Sequence, residues 1–194
     1  MSTGPSNVLH SRMVSLARLG EVVFHTSDLA NLWEIQNPNT LYTTLKRYVK
    51  SGLLFRIQKG MYSLYPPGEL DPLLLGIKTI HGYAYISTET VLFNKGIINQ
   101  RPGSITLVSS FSLKFHLLGH SYISRQLSDR FLFNSAGIEK QEHVLTASLG
   151  RAAADQLYYN PRVFFDSPDL VDWERVYDIQ ESLGYKKTRY GKKK

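Results

Sequence analysis

The stretch PNTLYTTLKRYVKSGLLFRIQKGMYS, residues 38–63, decides the fold of this chain. Its first half predicts a helix over 38–51, because its apolar residues recur at the spacing of a single helix face. Those residues are Leu41, Leu45, Tyr48 and Val49. Pro38 or Asn39 opens this helix and Gly52 ends it, in agreement with the usual positions of proline and glycine at helix ends.

The opposite side of this helix contains no acidic residue. It consists of amide, hydroxyl and basic side chains, namely Asn39, Thr40, Tyr42, Thr43, Lys46, Arg47 and Lys50. Such groups read base edges in the major groove or hold phosphates, whereas an ordinary solvent face mixes both signs of charge. We expect Lys46 and Lys50 to contact mainly phosphates, and the other five residues to lie at base edges.

A basic hairpin follows the helix directly. Strands are predicted over 53–57 and 61–64, on either side of a tight turn at Gln58-Lys59-Gly60. Gly60 supplies the backbone freedom that such a turn requires. Arg56 and Lys59 flank the turn, and a hairpin with this charge can lie along the phosphate backbone or in the minor groove. We expect both side chains to contact mainly phosphates.

Two further helices precede this segment. One is predicted over 8–19 and stops at Gly20, and the other is capped by Thr26 or Ser27 and decays before Asn37. Three helices followed by a basic hairpin indicate a winged helix-turn-helix domain over 1–66 that binds duplex DNA. The alternative is a small helical domain whose basic surface binds nothing.

A second domain is predicted after Pro66-Pro67-Gly68, which breaks the pattern. Residues 67–185 indicate a mixed α/β domain, so the whole chain is expected to be α+β. Helices are predicted over 72–81 and 87–95, a strand over 105–109 and further strands within 111–133. Thr146 is expected to cap a helix over 147–159, and Ser167-Pro168 to start a last helix that ends near Gly184. The lysine-rich segment 186–194 is expected to be a disordered basic tail.

The positive charge of the chain lies at its two ends. The 194 residues carry a formal net charge of +7 and no cysteine. Counted along the sequence, residues 1–66 contribute +4, residues 67–185 contribute −3 and residues 186–194 contribute +6. This distribution favours a polyanionic partner for the ends, and for the tail alone the equal alternative is that its charge only keeps the protein soluble. We find neither a secretory signal nor an apolar run of membrane-spanning length, and therefore expect a cytoplasmic protein with no membrane partner.

No arrangement of residues indicates catalysis, a cofactor or a metal site. His116 and His120 lie four residues apart in a strand-like segment with no third ligand nearby, which argues against a metal. Arg151 and Asp155 are expected to form an intrahelical ion pair worth a few tenths of a kcal/mol. The aromatic pairs 158–159 and 164–165 are expected to lie in the core. We expect this chain not to be an enzyme.

Four segments resemble a known family, the AbiEi antitoxins of type IV toxin–antitoxin (abortive infection) systems. FHTSDLA at 24–30 and LYTTLKRYVKSGLLFRIQKGMY at 41–62 resemble the winged helix-turn-helix module of that family. AYISTETVL at 84–92, followed by the strand predicted at 105–108, resembles the start of its second domain. LTASLGRAAAD at 145–155 resembles a later helix in which the arginine and the aspartate are typical.

The resemblance implies a repressor of its own operon. Such a protein binds double-stranded DNA at inverted repeats in its own promoter, as a monomer or weak dimer that binds cooperatively. The second domain would support cooperativity and counteract a nucleotidyltransferase-like toxin. The alternative that remains open is a stand-alone winged-helix transcriptional regulator whose second domain senses a small ligand.

Overall fold

The computed structural model describes residues 5–191, with side chains from residue 7 onward. The chain divides into two compact units, Met1–Leu70 and Asp71–Lys194. The described residues form eight α-helices and two β-sheets. The predicted α+β class is therefore confirmed.

The first unit contains three helices and one small sheet. The helices are α1 (Pro5–Leu19), α2 (Thr26–Leu32) and α3 (Pro38–Lys50), and the strands are β1 (Val23–His25), β2 (Phe55–Gln58) and β3 (Met61–Ser63). The sheet order is β1-β3-β2, with both pairs antiparallel. Strand β1 was not predicted from the sequence, because three residues are too few to show an alternating pattern.

The ends of α3 follow from local chemistry. The side chain of Asn37 accepts hydrogen bonds from the backbone N–H groups of Asn39 and Thr40, which caps the helix start, and Pro38 occupies the first helical position. Gly52 follows the helix with φ +71°, the left-handed conformation that glycine adopts without strain. The start and the glycine stop predicted for this helix are confirmed.

Two local predictions in this unit were wrong. Helix α2 begins at Thr26, and its cap is His25, whose backbone N–H donates to the Asp28 carboxylate at 2.9 Å, so neither Thr26 nor Ser27 is the capping residue. Strand β2 begins later than residue 53. The N–H groups of Leu53 and Leu54 donate to the carbonyl of Tyr48 and so complete the end of α3.

The second unit is built on a six-stranded mixed sheet. Its strands are β4 (Ala84–Ile86), β5 (Ile105–Ser109), β6 (Leu113–Leu117), β7 (His120–Gln126), β8 (Ile138–Gln141) and β9 (Val144–Ala147), and their order is β6-β7-β5-β4-β9-β8. The pairs β5–β7 and β4–β9 are parallel and the others are antiparallel. The helices of this unit are α4 (Pro72–Ile80), α5 (Glu89–Asn94), α6 (Asp129–Leu132), α7 (Leu149–Tyr159) and α8 (Trp173–Leu183).

The predicted helix starts in this unit need correction. Thr146 lies in β9, and α7 is capped instead by Ser148, whose Oγ accepts from the backbone N–H of Arg151 at 3.3 Å. Pro168 starts only a single 3₁₀ turn, and α8 begins at Trp173 after the cap Asp172. Both errors arose because a good capping residue occurs a few positions before the one that the fold uses.

The described part of the C-terminal segment is packed, contrary to the predicted disordered tail. Thr188 exchanges two hydrogen bonds with the side chain of Gln180, and the ring of Tyr190 stacks on Trp173 at 4.6 Å between centroids. The Tyr190 hydroxyl accepts from the backbone N–H of Phe165 at 3.2 Å. Aromatic packing against α8 therefore orders this segment despite its charge, and the last three residues of the predicted tail lie outside the described residues.

Candidate nucleic-acid interface

Helix α3 separates its side chains as the sequence predicts. Its inner side is buried and consists of Leu41, Thr44, Leu45 and Tyr48, with Val49 partly buried. All seven residues predicted for the other side are exposed: Asn39, Thr40, Tyr42, Thr43, Lys46, Arg47 and Lys50. Tyr42 leaves 55% of its surface open, which is unusual for a large aromatic residue in a folded domain. We call these seven exposed residues the α3 polar surface.

The basic side chains of the α3 polar surface have no acidic partner. Among residues 5–191 we find no ion pair that involves Lys46, Arg47 or Lys50, and α3 itself contains no acid. The Arg47 guanidinium lies 5.6 Å from the centre of the Tyr48 ring, a cation–π distance that positions it along the helix while leaving it exposed. Positive charge without a counter-charge is therefore displayed to solvent along one helix side.

The hairpin between β2 and β3 presents two more basic residues. Arg56 and Lys59 are both exposed, and the Arg56 Nε–H donates to the carbonyl of Gln58 at 3.4 Å. Gly60 has φ +80°, so the predicted need for glycine in this turn is confirmed. The Gly60 carbonyl also accepts from the backbone N–H of Thr26 at 2.9 Å, which ties the hairpin tip to the first residue of α2.

Arg12 of α1 is a positioning residue that sequence reasoning missed. Its guanidinium lies 5.5 Å from the centre of the Trp33 ring and donates to the Tyr48 hydroxyl at 3.4 Å. The Trp33 and Tyr48 rings meet edge to face at 5.6 Å. These contacts join α1, α2 and the inner side of α3. No local pattern could have found them, because they connect residues at least fifteen positions apart.

The second unit holds a buried polar cluster around Arg151. Arg151 and Asp155 are both 0% exposed, and the Arg151 Nε–H donates to Asp155 Oδ1 at 2.9 Å. The predicted ion pair is thus confirmed. It is buried, unlike the exposed helix pairs to which an energy of a few tenths of a kcal/mol applies. Hydroxyl groups from Tyr85, Ser87 and Tyr185 donate to the same carboxylate at 2.7–3.0 Å.

Backbone carbonyls and the Tyr85 hydroxyl accept from the remaining donors of Arg151. Its Nη1 donates to the carbonyls of Asn134 and Ala136 at 3.0 and 2.9 Å, and its Nη2 donates to the Tyr85 hydroxyl at 2.7 Å. Burial alone lowers the pKa of Arg151, but the adjacent Asp155 carboxylate raises it above the ordinary value. Burial and the same carboxylate raise the pKa of Tyr85 and of Tyr185. Among the described residues, both charged side chains and the three hydroxyls of this cluster are hydrogen-bonded to one another or to backbone carbonyls, as in a group that stabilises a core.

The aromatic residues of the pairs 158–159 and 164–165 differ in how deeply they are buried. Phe165 is fully buried, as predicted, whereas Phe164 is 73% exposed, so its predicted place in the core was wrong. Tyr158 is 40% exposed but stacks on Tyr185 at 4.6 Å. The predicted core position of Tyr158 was therefore wrong, and Tyr159 is only partly buried. Adjacent residues, whether in a helix such as α7 or in a loop, point in different directions, so a pair cannot be assigned to the core together.

His116 lies on β6, where its Nδ1 is 3.0 Å from the Ser121 Oγ. Within the described residues, no group of three or more potential metal ligands comes together.

An open cavity of about 750 Å³ in the second unit is lined in part by Asp71, Arg101 and His120. No helix in the described part of the chain has the length and apolar character needed to cross a membrane.

Comparisons with known proteins show a structural likeness but no sequence match. No protein-family model matches the chain, and no curated protein matches its sequence. The structure is similar to the crystal structure of the RV2827C protein from Mycobacterium tuberculosis, with a TM-score of 0.48 and 16% sequence identity, over 89% of this chain and 72% of that chain.

Proposed function

We propose that the chain is a sequence-specific DNA-binding repressor whose first unit is a winged helix-turn-helix domain. The observation that carries the proposal is the α3 polar surface, whose seven residues are all exposed. It contains no acid and has no counter-charge among the described residues. A polyanion with a regular groove is the partner that such a helix suits. The order of α2, α3 and the β2–β3 hairpin fits a recognition helix followed by a wing.

In this mechanism α3 enters the major groove. Arg47 would donate to guanine, and Asn39 to adenine, since these side chains match the paired groups on those base edges. Thr40, Tyr42 and Thr43 would supply hydroxyl contacts to bases. Lys46 and Lys50 of α3, and Arg56 and Lys59 of the hairpin, would hold phosphates, which fixes the register of the helix without reading sequence.

The biological role that we propose is that of an antitoxin. The resemblance of residues 24–30, 41–62, 84–92 and 145–155 to AbiEi antitoxins supports autorepression through inverted repeats in the chain's own promoter. The second unit would then support cooperative binding and counteract a nucleotidyltransferase-like toxin encoded in the same operon. In this proposal the protein acts in the cytoplasm and catalyses no reaction itself.

The test is binding to the DNA upstream of the chain's own gene, by footprinting and by fluorescence anisotropy with a labelled duplex. We expect protection of an inverted repeat and an affinity that falls steeply with salt. The variant Arg47→Glu should abolish this affinity, whereas Lys140→Glu on the exposed strand β8 reverses an equal charge in the second unit and should leave it nearly unchanged. Equal affinity in the two variants, or binding without salt dependence, would overturn the proposal.

A second candidate is a stand-alone regulator whose second unit senses a small ligand. The open cavity of about 750 Å³ beside Asp71, Arg101 and His120 favours this alternative, because its size suits a small molecule. The neighbouring gene separates the two candidates. A nucleotidyltransferase-type neighbour whose toxicity is relieved by co-expression of this chain supports the antitoxin, and its absence supports the sensor.

A further inference from the structure

Strand β6 forms one edge of the six-stranded sheet in the second unit. It pairs with β7 through an uninterrupted register from Leu113↔Ser124 to Leu117↔His120, and no other described strand pairs with its outer side. Alternate residues of an edge strand turn their N–H and C=O groups away from their only neighbour. Natural edges are commonly blunted by proline, a bulge or a charged side chain. Strand β6 contains neither proline nor a bulge, and its charged residue is Lys114, which would repel a basic strand but attract an acidic one.

Apolar side chains are exposed along this edge. Phe111 and Leu113 are each 40% exposed, and Leu118 in the adjoining turn is 43% exposed. Three large apolar residues exposed within one short hairpin exceed the scattered single residues that a protein surface normally shows. Phe115 lies on the same side of the sheet as Leu113, and its ring stacks on the ring of Tyr122 at 4.7 Å between centroids. Tyr122 is buried, so this side of the sheet continues into the core. An incoming strand would find apolar contacts there.

The opposite side of the hairpin is basic. Lys114 lies opposite Ile123 in the register, and Arg125 is two residues further along β7, so the three side chains share one side of the sheet. Together with Tyr159 they line a groove of about 630 Å³. The Arg125 Nη2 donates to Glu89, but its Nε–H has no acceptor among the described residues. No Asp or Glu occurs between residues 110 and 128.

We propose that β6 is a docking site for an extended segment of a partner protein that adds a further strand to the sheet. Charge complementarity defines the segment: acidic side chains would alternate with apolar ones, the acids facing Lys114 and Arg125 and the apolar residues facing Leu113 and Phe115. A second copy of β6 fits less well, because it would bring Lys114 and His116 of both copies together without an acid. Recognition by strand addition takes affinity from the backbone and specificity from alternate side chains.

The probe is a fluorescein-labelled peptide, Thr-Val-Glu-Val-Glu-Val-Glu-Thr, whose binding to the full-length chain is followed by fluorescence polarisation. A peptide of the same composition with its glutamates clustered should bind weakly, because the alternation is lost. Lys114→Glu should weaken binding about tenfold, as expected when an attractive exposed pair becomes repulsive. The matched control is Lys140→Glu on β8, the opposite edge of the sheet, which should leave binding unchanged.

Backbone methylation of the peptide distinguishes strand addition from charge attraction alone. A strand that binds through one edge tolerates N-methyl groups on one set of alternate residues and not on the other, because only one set donates to β6. Equal binding of the two methylated peptides, or equal loss in the Lys114 and Lys140 variants, would overturn the proposal. Concentration-dependent dimerisation that Leu113→Glu abolishes would instead assign this edge to a second copy. Operator binding is measured in parallel, so this result is independent of the DNA-binding proposal.

Discussion

Arg47 and Arg151 carry the same guanidinium group on two helices, in opposite surroundings. Arg47 is exposed on α3, with a single ring contact to Tyr48. Arg151 is 0% exposed on α7 and donates to a carboxylate, a hydroxyl and backbone carbonyls. A saturated, buried arginine has nothing left to offer a ligand, whereas an exposed one without an acid can bind a polyanion. We therefore expect Arg151 to stabilise the fold and Arg47 to contact DNA.

The largest effect is expected from Arg151→Met, which removes the guanidinium and leaves the Asp155 charge buried and unpaired. We expect the free energy of unfolding of the second unit to fall by about 3–5 kcal/mol. Urea denaturation followed by the fluorescence of Trp173, which lies in that unit, measures this loss.

The control for that experiment is Arg47→Met, which should change stability by no more than about 0.5 kcal/mol, as surface substitutions usually do. The double variant Arg151→Met/Asp155→Leu should recover only part of the stability. It removes the unpaired buried charge, but the hydroxyls of Tyr85, Ser87 and Tyr185 lose their acceptor in the core. A loss below about 1 kcal/mol for Arg151→Met would mean that the cluster contributes little to stability.

Alkaline pH should act on the same cluster. Burial and the Asp155 carboxylate raise the pKa of Tyr85 and Tyr185 in the folded protein, while unfolded tyrosine titrates near pH ~10. The resulting stabilisation is complete below pH ~10 and is lost progressively as the pH rises above it, because the unfolded chain releases these protons first. Urea denaturation at several pH values should show this decline. Tyr185→Phe should flatten it, and an unchanged slope in that variant would contradict the assignment.

The first unit could be predicted from the sequence more completely than the second. The inner side of α3, its capped start and its glycine stop all follow from spacing and from residues next to one another, and the structure agrees. Strand β1 and the hydrogen bond from Thr26 to Gly60 could not be predicted, since both depend on segments that meet only in the fold.

In the second unit, the sequence predicted the ion pair between Arg151 and Asp155 but did not predict that the pair is buried. The spacing of Arg151 and Asp155 predicts their contact on one helix. The groups that make the pair a buried cluster are Tyr85, at the start of the unit, and Tyr185, near its end, together with carbonyls from a connecting segment. Periodicity reports which residues share a face, but it does not report which distant residues cover that face. The energy expected for the pair was therefore that of an exposed helix pair, although this pair is buried.

A smaller effect than that of Arg151 is expected from Arg47→Ala, and on binding rather than on stability. If Arg47 reads a guanine, the affinity for the operator should fall by about 1–3 kcal/mol and selectivity at one base pair should relax. Anisotropy titrations with operator duplexes that are varied at single positions measure both. An unchanged operator affinity would remove Arg47 from the interface, and a uniform loss across all duplexes would make it a phosphate contact.

The smallest effect is expected from Lys59→Ala at the hairpin tip. Lys59 is exposed beside Gly60 and, as a flexible point charge, suits a phosphate better than a base edge. Its removal should weaken binding evenly across sequences and reduce the slope of log K against log salt by about 1, because one fewer counterion is released. Titrations of operator and random duplexes at several salt concentrations check this, with Lys140→Ala as the control. A loss confined to the operator, with the salt slope intact, would move Lys59 to a base contact and would place the hairpin inside a groove.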